Sequence, residues 1–366
     1  MTKIHVIGGG LIGMLTAREL ALAGRDVVLL ERGETGRESS WAGGGILSPL
    51  HPWRYPDAVT QLARWGQQHY GALTQALAAN TGIDPEWTQS GLMWLSTDEK
   101  AEALAWAARE RYDLGVLEGE PALRDCEPAL AAGFAEALFM PSVAQLRNPR
   151  LLQSLRAELL RLGVAIHEAV EVRGFVTRGE RLKALVTHAG ELDTELAVVA
   201  SGAWSGDLLA QTGLSLPIKP VRGQMVLFKA DPGLLTRMVM HQDRYLIPRR
   251  DGRILAGSTV EDVGFVKQTT EEALAELKAA AFAIMPALER FPVEHHWAGL
   301  RPGSPTGIPY IGEHPHMRGL FVSAGHYRNG VVLGLASTRL VADLMLGRSP
   351  ILEPAPYAPA TETMDL

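Results

Sequence analysis

The chain has 366 residues, which at about 150 per domain suggests roughly two domains. Hydrophobic residues make up 46% and charged residues 21%, a globular composition that excludes a disordered or fibrous chain. Lys+Arg is 35 and Asp+Glu is 41, a net charge of −6, so there is no basic excess to neutralise phosphates and nucleic acid is not an expected partner. The single cysteine, Cys126, cannot form an internal disulfide, and neither a CxxC pair nor the His295-His296 pair offers a metal-ligand set, so no metal is expected. Arg18, Glu19, Arg25 and Asp26 interrupt the first apolar stretch, and the apolar run 331–336 is too short for a bilayer. The expectation is a cytoplasmic protein without membrane contact.

The elements follow in chain order. Residues 3–7 form a β-branched strand, 8–13 a glycine turn, and 11–23 a helix with Leu11, Leu15 and Leu22 at helical spacing, stopped by Gly24. Residues 26–30 give a second buried strand that ends at Glu31, followed by a Gly- and Ser-rich loop over 33–45. Helices are expected at 58–80, 99–114 and 149–162, with strands at 91–95, 164–167, 169–176, 182–187 and 196–200. The character changes at Pro217. Long strands at 220–229 and 244–249 belong to a different sheet, and Asp251-Gly252 marks a hairpin into 253–257. Thr269 with Glu272 reads as a capping box for a helix whose apolar face is Leu274, Leu277, Ala281 and Ile284. A parallel-type strand returns at 320–324 with a helix at 330–345, and the Pro-, Ala- and Thr-rich tail 350–366 reads as a loose terminus. A nucleotide-type domain at both ends and in the middle is thus interrupted by another. The boundaries are 1–80, 145–216 and 297–366 for the first, and 81–144 and 217–296 for the second.

Gly8-Gly9-Gly10-Leu11-Ile12-Gly13 is a GxGxxG turn between a strand and a helix, with Glu31 at the end of the next strand. Gly8 permits the turn, Gly10 lets backbone approach a pyrophosphate, and Gly13 lets the helix pack on the strand. The helix N-terminus offers N–H groups to phosphate, and Glu31 suits ribose hydroxyls and argues against a 2′-phosphate. This motif alone leaves NAD and FAD open. In the loop 38–45, Ser39 and Ser40 can bond a pyrophosphate, and consecutive glycines let backbone lie against a flat ring.

Further on stand Trp297-Ala298-Gly299-Leu300-Arg301-Pro302, then Gly307-Ile308-Pro309-Tyr310-Ile311-Gly312, then Gly325-His326-Tyr327-Arg328-Asn329-Gly330-Val331. With the GxGxxG turn, the segment Ala200-Ser201-Gly202-Ala203-Trp204-Ser205 and the strand around Pro248, the sequence resembles the D-amino acid oxidase-like family of FAD amine oxidases over nearly its whole length. Within that family it is most similar to the glycine-oxidising branch of bacterial thiamine biosynthesis. The implied fold class is α/β (α+β overall): a Rossmann-type FAD-binding domain of the glutathione-reductase and D-amino acid oxidase type, plus a discontinuous substrate domain with a mixed or antiparallel sheet.

The resemblance implies that Gly8, Gly10, Leu11, Ile12, Gly13, Glu31, Arg32, Ser39 and Ser40 hold the ADP part of FAD, with Val170 at the adenine. Gly44, Gly45 and Ile46 would line the flavin ring. The turn His326, Tyr327, Arg328, Asn329, Gly330, Val331 and Val332 would place N–H groups and a helix N-terminus at the edge that becomes negative on reduction. Arg301 and Tyr245 would fix the substrate carboxylate, with Arg328 as a second substrate-side arginine. No cysteine lies near Arg301, which implies non-covalent FAD.

The implied reaction is oxidative deamination of glycine and other small amines or amino acids (sarcosine, D-alanine, D-proline) by hydride transfer to the flavin, with O2 reduced to hydrogen peroxide. The imine would hydrolyse to a 2-oxo acid and ammonia or pass to thiazole synthase. A homo-oligomer, a tetramer by family habit, is implied as well. A D-amino acid dehydrogenase feeding a quinone or other carrier, and a non-enzymatic flavoprotein, remain as alternatives. Two departures stand out: Thr306 precedes Gly307 where many members carry Asp, and Asp243 replaces a histidine in the Tyr245 strand, a change expected to alter pocket polarity. Trp41 and Trp65 are candidates for narrowing access.

Overall fold

The computed structural model describes residues 3–360. Its first layer is a six-stranded sheet in which Ile4–Ile7 lies between Ala197–Val199 and Val27–Leu30, all parallel. Ala165–His167 extends it beyond Val27–Leu30, Leu320–Ala324 pairs parallel to Ala197–Val199, and Tyr310–Glu313 closes the far edge antiparallel. Helices and a small sheet cover both faces, so the central strands are buried along their length. That explains their unbroken runs of Val, Leu and Ile. Ile4–Ile7 sits where the chain turns to opposite sides of the sheet, and such a point opens a crevice at the carboxyl ends of the strands.

On one face pack the helices Leu11–Leu22, Asp57–Thr81, Asn148–Arg161 and Gly330–Leu346. The long helix Asp57–Thr81 comes so close to Gly330–Leu346 that a methyl group on Gly66 would overlap the Val332 carbonyl. Four residues on, the buried Tyr70 hydroxyl donates to the Val331 carbonyl at 2.5 Å. On the other face lies the three-stranded sheet Val172–Arg178, Arg181–Thr187 and Gly190–Asp193, which joins a separate core.

The second layer is an eight-stranded sheet. Its order is Val293–Gly303, Lys219–Phe228, Ile254–Gly257, Arg244–Pro248, Met238–His241, Leu92–Trp94, Glu136–Met140, Gly115–Glu118. Every pair is antiparallel except Met238–His241 with Leu92–Trp94. Helix Glu271–Ile284 covers one face and helix Lys100–Glu110 lies on the other. The expected hairpin through Asp251-Gly252 joins Arg244–Pro248 to Ile254–Gly257.

Several expectations need correction. The boundary at 297 falls inside strand Val293–Gly303, which pairs with Lys219–Phe228 along its length, so residues 297–303 belong to the eight-stranded sheet. The 99–114 helix ends at Glu110, because Arg111 turns left-handed at φ 58°. The strand expected from 169 begins at Val172, since Ala169 also holds φ 58°. The Glu271–Ile284 helix is capped by Thr270, whose hydroxyl accepts from the Ala273 N–H, and not by Thr269. The tail is not loose throughout: Tyr357 is buried and its hydroxyl donates to the Ala58 carbonyl at 2.8 Å, while residues 361–366 lie outside the described residues. The apolar run at 331–336 is part of a 20-residue stretch, Tyr327–Leu346, long and apolar enough to cross a membrane. In this fold 67% of it is buried, as in a core helix.

The contact between the two helices can be tested at Gly66. Gly66→Ala gains helix propensity but drives a methyl into backbone that cannot retreat, so overpacking should dominate and cost about 2 kcal/mol. Urea unfolding with an unchanged slope measures it.

Candidate active site

A cavity of about 550 Å³ opens at the crevice and runs under the eight-stranded sheet. One part of its wall comes from the first strand–turn–helix. Gly8 adopts φ 109° and abuts the Ala200 carbonyl, 2.5 Å from where a side chain would begin. Gly13 stands behind the wall, where any Cβ would overlap the Gly8 carbonyl, so the helix rests on the turn as expected. Gly10, Leu11 and Ile12 line the cavity at the N-terminus of helix Leu11–Leu22, whose first-turn N–H groups have no intrahelical partners. Ser40 occupies one of them, accepting from the Leu11 N–H at 2.9 Å. Glu31 accepts from the Gly9 N–H at 2.7 Å and the Gly33 N–H at 2.8 Å, so its carboxylate is fixed by the turn and faces the cavity. Val170 lies beside it, its N–H donating to the Glu31 carbonyl.

Of the residues expected here, Arg32, Ser39, Ser40, Gly44, Gly45 and Ile46 line the wall, as do His326, Tyr327, Arg328, Gly330 and Val331. Asn329 and Val332 are buried behind it. The 325–331 turn brings a helix N-terminus to the cavity, with Tyr327 held at φ 45°, a conformation non-glycine residues rarely adopt. Among the described residues, Ser323 Oγ, His326 Nε2 and Arg328 Nη2 are buried in this wall without a hydrogen-bond partner. Burial pushes the His326 imidazole down to about 3, so it is neutral at physiological pH.

The opposite part of the wall comes from the eight-stranded sheet. Arg301, on Val293–Gly303, is half-buried, and its guanidinium donates to Ser258 Oγ at 2.7 Å and the Thr259 carbonyl at 3.1 Å. Among the described residues no carboxylate pairs with it, and burial with the neighbouring Arg328 holds its pKa below the usual arginine value. Tyr245 is buried beside it on Arg244–Pro248, its hydroxyl donating weakly to Met225 Sδ at 3.4 Å. Gly223 makes the arrangement possible: a methyl group there would overlap the Arg301 guanidinium. Opposite in register, Gly299 has room for no side chain either, since a Cβ would lie 2.5 Å from that of Ala42.

Sequence reasoning missed several of these parts. Met225, Ser258 and Gly223 line the cavity but carry no motif. Arg249 is half-buried and donates to Gln145 Oε1, the Leu146 carbonyl and, at 2.8 Å, the Gly44 carbonyl, clamping the glycine loop. Burial, and then the nearby Arg147, holds its pKa down to about 10. Its place after Pro248 was the available signal. Other expectations fall away. Asp243 does not line the cavity; it sits 3.6 Å from the buried His51, so it does not set the polarity of the wall directly. Trp41 packs edge-on against Trp297 and Trp65 stacks on His69, and neither reaches the cavity. At the other departure, Gly307 holds φ 76° against Tyr55, and the Thr306 hydroxyl accepts weakly from the Ile308 N–H. His295 is exposed on its strand, and no metal-holding cluster occurs among the described residues.

A glycine turn under a helix N-terminus, a fixed carboxylate at the next strand end, and a second helix N-terminus with unpartnered polar atoms are what a dinucleotide carrying a flat ring requires. The family model for FAD dependent oxidoreductases matches residues 3–344. The chain belongs to this family. A glycine oxidase of Pseudomonas aeruginosa is 54% identical, with 98% of each chain covered. The crystal structure of a glycine oxidase from Geobacillus kaustophilus superposes with a TM-score of 0.93 at 31% identity, covering 98% of this chain and 99% of that one. A Synechocystis protein named bifunctional protein ThiO/ThiG is 30% identical over 96% of this chain, which spans 53% of its length. FAD fits the residues present: the cavity offers glycine backbone and N–H groups at one end and buried, unpartnered polar atoms at the 325–331 turn.

The contact of Gly223 with Arg301 gives a specific expectation. Gly223→Ala should push the guanidinium off Ser258 and Thr259, raising the KM of a carboxylate substrate at least about tenfold while FAD content stays full, because a displaced charge-assisted hydrogen bond is worth roughly 1.5–3 kcal/mol. Steady-state kinetics with the flavin-to-protein absorbance ratio reads both quantities.

Proposed function

We propose that the protein is an FAD-dependent oxidase of glycine and other small amino acids, forming an imine that hydrolyses to a 2-oxo acid and ammonia while O2 becomes hydrogen peroxide. The observation that carries this reading is the half-buried Arg301 guanidinium, which lines the cavity without a carboxylate partner among the described residues. A partly desolvated cation without a counter-charge gains when an anion arrives, and a planar fork suits a carboxylate. Tyr245 stands close enough to turn its hydroxyl from Met225 to the same anion. When bound, FAD would supply the two-electron acceptor, which O2 would reoxidise.

The protein's contribution is orientation and exclusion of water. Arg301 and Tyr245 fix one end of the substrate, and Gly44 packs against the Tyr245 ring, which leaves little width at that end. The carboxylates of the wall, Glu31, Glu38, Glu171 and Asp207, accompany the segments around Glu31 and Trp204, and none pairs with Arg301. His326 is held neutral with too low a pKa to take a proton at physiological pH. The amine is therefore expected to enter neutral. In this reading residues 1–80, 145–216 and 304–366 hold the cofactor non-covalently, and 81–144 with 217–303 shape the substrate side. The joined ThiO and ThiG parts of the Synechocystis relative support a place for the imine product in thiazole formation, by hand-off to a thiazole synthase. A cytoplasmic homo-oligomer, a tetramer by family habit, belongs to the same proposal.

The deciding experiment mixes purified, FAD-loaded protein with glycine, first without oxygen and then with it. Bleaching of the flavin without air and peroxide with air are expected; bleaching with no oxygen consumption would replace the oxidase with a dehydrogenase. The value of kcat/KM should climb with pH towards the ammonium pKa of the substrate, with no limb from an enzyme base near neutrality. Arg301→Ala should raise the KM for glycine about 100-fold, as loss of one partner of a buried charge pair costs roughly 2–5 kcal/mol, and keep FAD bound. Loss of FAD with unchanged KM would remove Arg301 from the substrate side.

A further inference from the structure

Between strand Ile254–Gly257 and helix Glu271–Ile284 runs a loop, 258–270, that the reaction as described uses only at its first residues. Both of its roots are pinned to strand Lys219–Phe228. Thr259 Oγ1 accepts from the Gln224 N–H at 2.8 Å, and Glu261 pairs with the buried Arg222. At the other root, the Gln268 carbonyl accepts from Arg222 and the Thr270 N–H donates to Gln224 Oε1. Between the roots the crown reaches across the sheets. Phe265 stacks on Trp204, ring centres 5.4 Å apart, and Trp204 in turn carries the Arg32 guanidinium 3.6 Å over its ring. Lys267 pairs with Glu38 at 2.9 Å.

Arg32, which directly follows Glu31, lines the cavity with Glu38 and Trp204; Phe265 and Lys267 do not. The crown therefore touches nothing in the cavity directly. It is nonetheless costly to maintain: Phe265 is 43% exposed and Val266 50% exposed, apolar surface left in water on a segment without secondary structure. Pinned roots, an aromatic stack and an ion pair, all directed at one end of one cavity, give that exposure a purpose.

We infer that loop 258–270 is a strap that retains the cofactor: Phe265 presses Trp204 and Arg32, and Lys267 holds Glu38, over the nucleotide end of the cavity. Phe265 and Lys267 are positioning residues, acting through the wall. This rests on the reading of the cavity as an FAD site and extends it to residues that no glycine motif marks.

The test dilutes FAD-loaded protein and follows the rise of free-flavin fluorescence, with sedimentation to give the mass of the assembly. Phe265→Ala should speed release roughly tenfold, since an aromatic stack contributes at about that scale. Phe265→Trp should restore slow release. Lys267→Met should speed it about threefold at low salt and show no difference from wild type at high salt, because an exposed ion pair is weak and screened, and Lys267→Arg should rescue it. Unchanged release in Phe265→Ala and Lys267→Met overturns the strap. So does quicker release that occurs only when the mass of the assembly falls, which would make the crown a contact between copies of the chain. Wild-type protein that never binds FAD would instead remove the reading on which the strap rests.

Discussion

The candidate site is organised around a cation that has no carboxylate beside it. Arg301 is half-buried, has no carboxylate partner among the described residues, and is held by neutral acceptors on Ser258 and Thr259. A guanidinium in that state forfeits much of its hydration and recovers part of it from oxygen dipoles. Arg222, next in sequence to Arg301's register partner Val221, is buried but is neutralised by Glu261. The contrast separates two uses of the same residue type on opposite faces of one sheet. Arg222 holds the loop roots together, while Arg301 keeps an unfilled demand for an anion. The fold maintains that demand because Arg301 sits on the longest strand of the eight-stranded sheet, paired along its length, where backbone cannot give way.

The two sheets meet so that each brings what the other lacks. The parallel sheet has strand ends, helix N-termini and fixed glycines, which suit phosphates and ribose but offer no grip on a small zwitterion. The antiparallel sheet presents side chains from adjacent strands onto one surface, so Tyr245, Met225 and Arg301 converge although they are far apart in sequence. Arg249 ties the two together. Its three hydrogen bonds, one of them to the Gly44 carbonyl, anchor the loop that follows the first nucleotide unit to the hairpin of the second sheet.

Much of this was legible in the residues, and the exceptions follow a physical rule. The strand–turn–helix with Glu31 could be read because its chemistry is local: each glycine answers a constraint set within a few residues. Arg301 and the 325–331 turn were found through their motifs and not through periodicity. What escaped depends on sheet register. Gly223 looks like any strand glycine until Arg301 is placed beside it, and Met225 and Ser258 acquire meaning only across neighbouring strands. The false ends of the 99–114 helix and the 169–176 strand share another cause, since Arg111 and Ala169 adopt left-handed backbone without being glycine or asparagine. Asp243 shows the limit of substitution arguments: it stands two residues before Tyr245 yet lies outside the cavity.

The facing glycines of the two longest strands also bear on how this enzyme can change. At Gly223 and Gly299 the cavity surface beside Arg301 is bare backbone, closed to any side chain by Arg301 on one side and Ala42 on the other. Mutation cannot gradually narrow or widen that surface, because the smallest step available, a methyl group, already collides. Met225, on the same sheet face, lines the cavity with an unbranched and polarizable side chain that can be traded for other apolar shapes at little cost. A lineage that must keep its grip on carboxylates while exploring new amines has one wall free to drift and one that is frozen.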